Sequence, residues 1–123
     1  MTNVKEKAER NENFRLAIWT GCHLQMTLMC IPPGGEIGME MHADTDQLLR
    51  IEQGQAIAKI GRCQWHQEFE ECLEVGDVVF VPAGTWHNII NSGSCDLKLS
   101  SVYAPPNHPK GTVQRTKAEA QET

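Results

Sequence analysis

The sequence predicts an all-β domain, either a sandwich or a barrel of short antiparallel strands, and three observations support this fold class. From Phe14 onwards, apolar stretches of four to eight residues recur along the 123-residue chain. Gly, Pro, Asn and Ser separate these stretches, as turn residues do in all-β proteins. No segment of any length shows the 3.6-residue period of a helix, so a parallel sheet would lack its crossover helices.

Strands are expected wherever an apolar or alternating stretch lies between two turn signals. The turns include Pro32-Pro33-Gly34-Gly35 and Asn91-Ser92-Gly93-Ser94, and the last strand ends at Pro105, since proline cannot donate to a ladder. The predicted strands, in order, are Phe14–Thr20, Leu24–Ile31, Ile37–His42, Leu48–Glu52, Gln55–Ile60, Gln64–Glu70, Asp77–Val81, Asn88–Ile90 and Asp96–Tyr103.

The length favours a single domain with polar extensions at both ends. Residues 1–12 form a polar leader that is either one amphipathic turn or frayed coil. Residues 13–106 form the β-domain. Residues 107–123 form a tail that is either a short surface helix or disordered, because residues 116–123 are mainly Ala, Glu, Gln and Lys.

Composition excludes several classes of partner. With 11 Lys+Arg against 16 Asp+Glu, the net charge of −5 argues against nucleic acid as a partner. No apolar run approaches the ~20 residues of a membrane span, and the charged N-terminal segment lacks the apolar stretch of a secretory signal. Five cysteines without a CxxC pair indicate free buried thiols in a reducing compartment. The chain is therefore expected to be cytoplasmic, with no membrane partner.

A small set of polar residues falls at positions that suit a divalent metal. Glu40 and His42 are two apart on a predicted strand, so their side chains leave the same face. Gln47 begins the next strand, and His87 follows a tight turn after an apolar strand. Carboxylate and imidazole groups on adjacent strands are plausible metal ligands. On these spacings alone, structural or surface histidines remain the alternative.

Two segments carry residues at fixed spacings that are typical of one family. The later segment contains Gly76, Pro82, Gly84, His87 and Asn91. The earlier segment contains Gly34, Glu40, His42, Gln47 and Gly54. With these motifs the chain resembles a small single-domain member of the cupin superfamily, of the mannose-6-phosphate-isomerase-like kind. The resemblance implies a jelly-roll barrel, which is an antiparallel double-stranded β-helix.

The resemblance implies one divalent transition metal ion (Mn, Fe, Co, Ni or Zn) held by Glu40, His42, Gln47 and His87. The family pattern has His and Glu where this chain has Glu40 and Gln47, so three neutral donors and one anion are kept. Asp46 is a competing oxygen donor, but the six-residue spacing to Gly54 selects Gln47. The alternative is a vestigial site in which Glu40 and Gln47 merely hydrogen-bond the histidines.

The resemblance further implies a sugar or sugar-phosphate isomerase, with Glu40 as the catalytic base if it is not bound to metal. An Fe(II)-dependent dioxygenase and a non-enzymatic small-molecule-binding or stress module are the alternatives. Alternation sends Arg50 and Lys59 outward, so no Lys or Arg is expected in the barrel lumen. We therefore expect a small polar molecule of little charge as the ligand. A homodimer formed through an edge strand or the N-terminal segment is the family expectation.

Overall fold

Nine strands and two short helices make up the computed structural model, which describes residues 1–121 and confirms the all-β jelly-roll class. The helices lie at the two ends of the chain, and the strands lie between them. The elements are α1 (Val4–Arg10), β1 (Arg15–Thr20), β2 (Gln25–Ile31), β3 (Asp46–Gln53), β4 (Ala56–Gly61), β5 (Phe69–Leu73), β6 (Val78–Val81), β7 (Trp86–Asn91), β8 (Leu97–Ala104), β9 (Val113–Gln114) and α2 (Lys117–Gln121).

The strands form two antiparallel sheets. The larger sheet has the order β6-β3-β8-β2-β1-β9, and the smaller has the order β5-β4-β7. Neighbours in each sheet are mostly distant in sequence, as in β3 against β8 and β4 against β7. This connectivity brings β7, the strand that carries the second motif, close to the loop that carries the first.

Two of the predicted strands differ from the structure. The segment 37–42 forms no strand and makes a single isolated bridge to β7, at Glu40. The ladder is interrupted because Gly38 has φ +101° and its N–H donates to the Asn88 side chain at 2.9 Å. The predicted strand at 64–70 begins only at Phe69, because a turn bridged by Cys63 and His66 occupies the start of the segment. The two-residue strand β9 was too short for any pattern to predict.

Both chain ends form helices in the described residues. The side chain of Asn3 accepts the N–H of Glu6 at 2.9 Å and so caps α1, while Ala8 is fully buried against the larger sheet. The tail folds into α2 at residues 117–121, and the last two positions, Glu122 and Thr123, lie outside the described residues. Neither helix has the length and apolarity to cross a membrane.

The barrel interior is divided into an apolar and a polar part. Fourteen buried apolar residues, among them Met29, Leu49 and Leu99, form one continuous core. Further along the same strands the inward positions become polar: Gln25 pairs with Tyr103, and Tyr103 with Gln47, each almost fully buried. Side chains of partners directly opposite in a sheet share a face. The polar part therefore lies inside the barrel, next to the motif residues.

The cysteines are free, as expected, but the expectation that they are buried was wrong for four of the five. Only Cys30 is buried, and Cys22, Cys63, Cys72 and Cys95 are exposed. The exposed ones lie in turns or on β5, whose side chains are exposed except at Leu73.

Candidate metal centre

The two motifs are joined by backbone hydrogen bonds. Glu40 and His87 exchange both of their backbone bonds at 2.9 Å, which places their side chains on the same face. The carbonyl of His42 accepts the N–H of Gly84 at 2.8 Å. Gly84 has φ +80°, a conformation that a side chain would disfavour, so the glycine of the second motif allows this contact.

These contacts bring three of the four predicted ligands together. The ligand atoms of Glu40, His42 and His87 all lie within 4.8 Å of one another. Glu40 Oε1 is 3.3 Å from His87 Nε2 and 3.5 Å from His42 Nε2. The side chain of His87 is 1% exposed, that of His42 14% and that of Glu40 26%, so the cluster is buried on one side and reachable from solvent on the other.

The cluster has the donor arrangement that a cation needs. The His87 Nδ1 lies 3.1 Å from the carbonyl of Thr85, which can only accept, so Nδ1 carries the proton in the neutral ring. The lone pair of His87 Nε2 then faces the Glu40 carboxylate. In keeping with this, Glu40 Oε1, His42 Nε2 and His87 Nε2 are all buried without a hydrogen-bond partner. A divalent ion shared by these atoms would satisfy all three.

Gln47, the fourth predicted ligand, lies on β3 and is 4% exposed. Its Nε2 donates to Ser101 Oγ at 2.8 Å, while its Oε1 is buried without a partner. Its strand partner Tyr103 packs against His42, with ring centroids 5.7 Å apart. Asp46, the competing donor, is exposed and accepts the backbone N–H of Ala83 at 2.9 Å instead. The structure thus leaves the Gln47 oxygen buried and without a partner, on the strand position opposite Tyr103.

The electrostatics keep Glu40 ionised. Burial acts to raise the pKa of the Glu40 carboxyl, but when the His42 and His87 rings are protonated, their N–H groups and positive charges outweigh burial and lower the pKa to about 2. A carboxylate that stays charged at neutral pH is a good metal ligand and a poor proton donor.

Two neighbours of the cluster were not identified from the sequence as site residues. Tyr103 is completely buried, and burial raises the pKa of its hydroxyl. His108 Nε2 lies 3.4 Å from that hydroxyl, and burial with the nearby Arg15 charge lowers the pKa of its ring to about 4. Both groups are therefore neutral at pH 7. Tyr103 could have been identified only through its pairing with Gln47 on the neighbouring strand. That pairing is not visible in the sequence.

The expectation that no Lys or Arg lies in the lumen was wrong. Arg50 points outward with a side chain 49% exposed, as predicted. Arg15, however, pairs with the core residue Met29 and is only 5% exposed. It was missed because β1 begins at Arg15 and is irregular between Ala17 and Trp19, which hides the alternation.

The barrel fold and the carboxylate–histidine cluster together define a protein of the cupin class. Residues 27–103, more than half of the chain, match the family model of the Cupin domain. The chain belongs to the cupin family.

Among its relatives is an uncharacterized Bacillus subtilis (strain 168) protein, YrkC, which is 50% identical over 120 residues. The match covers 98% of this chain and 64% of YrkC, so the chain spans just under two thirds of that relative's length. The crystal structure of BH2720 from Bacillus halodurans is 46% identical with a TM-score of 0.99, covering all of this chain and 93% of that one. A predicted oxalate decarboxylase from Thermotoga maritima has a TM-score of 0.60 at 24% identity, covering 69% of each chain, which shows the shared fold alone.

Proposed function

We propose that this protein is a metal-dependent cupin that binds and acts on a small polar molecule. Glu40, His42, Gln47 and His87 would hold the divalent ion. One observation carries the proposal: the four ligand atoms expected from the sequence are all buried without a hydrogen-bond partner, and three of them converge within 4.8 Å. Buried polar groups are normally satisfied, so such a set is typical of an ion site.

When bound, the ion would act as a Lewis acid towards oxygen atoms of the ligand. With four protein donors, the ion could still bind oxygen atoms of the ligand, which could reach it past the partly exposed side chains of Glu40 and His42. Two oxygens and two nitrogens suit Mn, Fe, Co, Ni or Zn.

For the reaction, we propose proton-shift isomerisation of a sugar or sugar phosphate as the first candidate, as the family resemblance implies. That chemistry needs a base beside the ligand. Glu40 can supply it only when it is not bound to the ion.

The second candidate is an Fe(II)-dependent dioxygenase, and the position of Glu40 favours it. This carboxylate lies between both imidazoles, and the described residues place no second carboxylate in the cluster to act as a base. An oxygenase does not require one. The third candidate is a non-enzymatic binding or stress module, which would be favoured if the purified protein holds no metal and neither Glu40→Ala nor His87→Ala changes ligand affinity.

The test is elemental analysis of the purified protein after reconstitution with each candidate ion. We expect about one ion per chain in the wild type and none in the His42→Ala/His87→Ala double variant. The matched control is His23→Ala/His66→Ala, which removes two exposed imidazoles outside the cluster. An ion-free wild type, or a double variant that keeps its ion, would refute the site. Oxygen uptake by the Fe(II) form over a panel of sugars and small hydroxy compounds then separates the two reactions.

We also propose a cytoplasmic location. Four exposed free cysteines are typical of a reducing compartment. Thiol titration of protein from freshly lysed cells, alkylated during lysis, should find all five cysteines reduced.

A further inference from the structure

One buried cation inside the barrel has no charged partner. Arg15 is 5% exposed, and no carboxylate of residues 1–121 lies within 4.0 Å of its guanidinium. Its Nη1 donates to Gln114 Oε1 at 2.6 Å, its Cζ lies 5.3 Å from the Phe14 ring centroid, and its Nε is buried without a hydrogen-bond partner. The Tyr103 side chain is also hydrogen-bonded to Arg15. A neutral amide, a tyrosine and a phenylalanine ring only partly compensate a buried charge.

A second unsatisfied donor lies on the adjacent strand. The hydroxyl of Thr27 is completely buried without a hydrogen-bond partner among the described residues. Thr27 is paired with Ala17 on one side, two positions from Arg15, and on the other with Ser101. Ser101 is the residue that holds the Gln47 amide. The two unsatisfied donors are therefore in the polar part of the barrel that also contains the proposed metal ligand Gln47.

Arg15 also acts on the ring that lines the cluster. Its side chain is hydrogen-bonded to that of Tyr103. Tyr103 in turn packs against His42. Tyr103 thus contacts both the guanidinium and one of the proposed metal ligands.

The charge of this interior is not balanced by the protein. Glu40 offsets one of the two charges of a divalent ion, and Arg15 adds another, so a metal-loaded site carries two positive charges. Uncompensated charge in a buried site is costly, and an anionic ligand would remove that cost.

We propose that Arg15, together with the Thr27 hydroxyl, binds an oxyanion group of the ligand, a carboxylate or a phosphate, beside the metal centre. The planar guanidinium can offer Nε–H and an Nη–H to two oxygens of such a group. This deepens the proposed function, on which it rests for the metal, and it replaces the weakly charged ligand expected from the sequence with an anionic one.

The experiment measures the binding of malonate and of inorganic phosphate by calorimetry, first to metal-free protein and then, for malonate, to the metal-loaded form. We expect one of the two anions to bind, and the one that binds identifies the group. Arg15→Gln should weaken its affinity about tenfold to a hundredfold, the value of a hydrogen bond to a charged group. The control Arg50→Gln, an exposed arginine on the outer face, should bind as the wild type does.

A structural role for Arg15 makes different predictions. If the guanidinium only braces Gln114 and Tyr103, Arg15→Gln will lower the urea midpoint, and neither anion will raise that of the wild type. We expect the opposite: the anion raises the wild-type midpoint, and the variant does not respond. Thr27→Val keeps the side-chain shape and removes only the hydroxyl, so it should weaken anion binding without loss of stability even if Arg15→Gln fails to fold. Two outcomes overturn the proposal: no binding of either anion, or unchanged affinity in Arg15→Gln or Thr27→Val.

Metal content, measured on the same samples, separates this proposal from the proposed function. Arg15-dependent anion binding by a protein that holds no ion would refute the metal centre and leave the anion site. A protein that holds its ion but binds the anion equally well in Arg15→Gln would keep the metal centre and refute the anion site.

Discussion

Removing and restoring the metal should change the melting temperature by a predictable amount. An ion that binds only the folded protein stabilises it by about 2.7 kcal/mol at a free concentration of 100 times its Kd. Unfolding entropy is about 2.1 cal/mol/K per residue, and the chain has 123 residues, which gives about 0.26 kcal/mol/K. The expected rise in Tm is therefore about 10 °C.

The structure indicates which residue controls this shift. When the His87 ring is neutral, its Nε2 lone pair faces the Glu40 carboxylate at 3.3 Å, and an ion bound between the two atoms would make this contact favourable. His87→Ala removes one ligand and the partner of the Thr85 carbonyl. We expect its metal-induced shift to fall to about 2 °C or less, relative to its own metal-free Tm. The metal-free comparison matters because truncating a buried ring also lowers stability by itself.

Differential scanning calorimetry on chelator-treated protein, with and without Mn, Fe(II), Co, Ni or Zn, gives the measurement. His23→Ala is the matched control, since His23 is exposed and lies outside the cluster. It should show the full shift, and it also accounts for ions that bind exposed cysteines or the unfolded chain. If no ion raises the wild-type Tm, or if His87→Ala keeps the whole shift, the reasoning from the unsatisfied cluster is wrong.

Three further predictions concern the ligand set, the core and the assembly. Gln47→Glu adds a negative charge and should tighten metal binding by about tenfold or more, as measured by isothermal titration calorimetry. In the metal-free protein it buries a second carboxylate, so the urea midpoint of unfolding should fall. Leu49 is fully buried, so Leu49→Ala should lower the free energy of unfolding by about 2–5 kcal/mol. The control Leu24→Ala, at a partly exposed position, should lower it by about 0.5 kcal/mol or less. Urea unfolding that is unchanged in Leu49→Ala would contradict the core assignment. We propose a homodimer formed through the edge strand β6, where Phe80 is 72% exposed. Phe80→Glu should then reduce the mass measured by light scattering from that of a dimer towards that of a monomer. A monomeric wild type would refute the dimer.

Much of the fold follows from local sequence signals. Apolar stretches predicted the strands well where both ends had turn residues, as at β2 and β8. They failed at 37–42, where the residues alternate suitably but Gly38 and the Asn88 side chain interrupt the ladder. That interruption depends on a residue fifty positions away, which no local pattern contains.

The candidate site divides in a similar way. Motif spacing selected Glu40, His42 and His87, and the structure brings these three together because β7 bridges directly to the first motif. It also preferred Gln47 to Asp46, and Asp46 does turn outward. Arg15 and Tyr103 carry no motif, and their position depends on pairings across β1, β2 and β8. The spacing of residues along the sequence cannot predict site residues that are brought in only by strand pairing.

The vestigial alternative fits Glu40, whose Oε1 lies 3.3 Å from His87 Nε2 and 3.5 Å from His42 Nε2, but it does not fit Gln47. If Glu40 and Gln47 merely hydrogen-bonded the histidines, the Gln47 amide N–H would donate to an imidazole nitrogen, and the oxygens would receive donors. Instead the Gln47 amide donates to Ser101, its oxygen is left without a partner, and both imidazole Nε2 atoms are unsatisfied. Among the described residues, seven buried side-chain atoms have no hydrogen-bond partner, and six of them lie in this interior. The seventh belongs to Glu52, which lies under α1, where Lys5 donates to its backbone carbonyl. The interior therefore contains an unsatisfied anionic group at Glu40 and an unsatisfied cationic group at Arg15. A metal cation would satisfy the first, and an anionic ligand would satisfy the second.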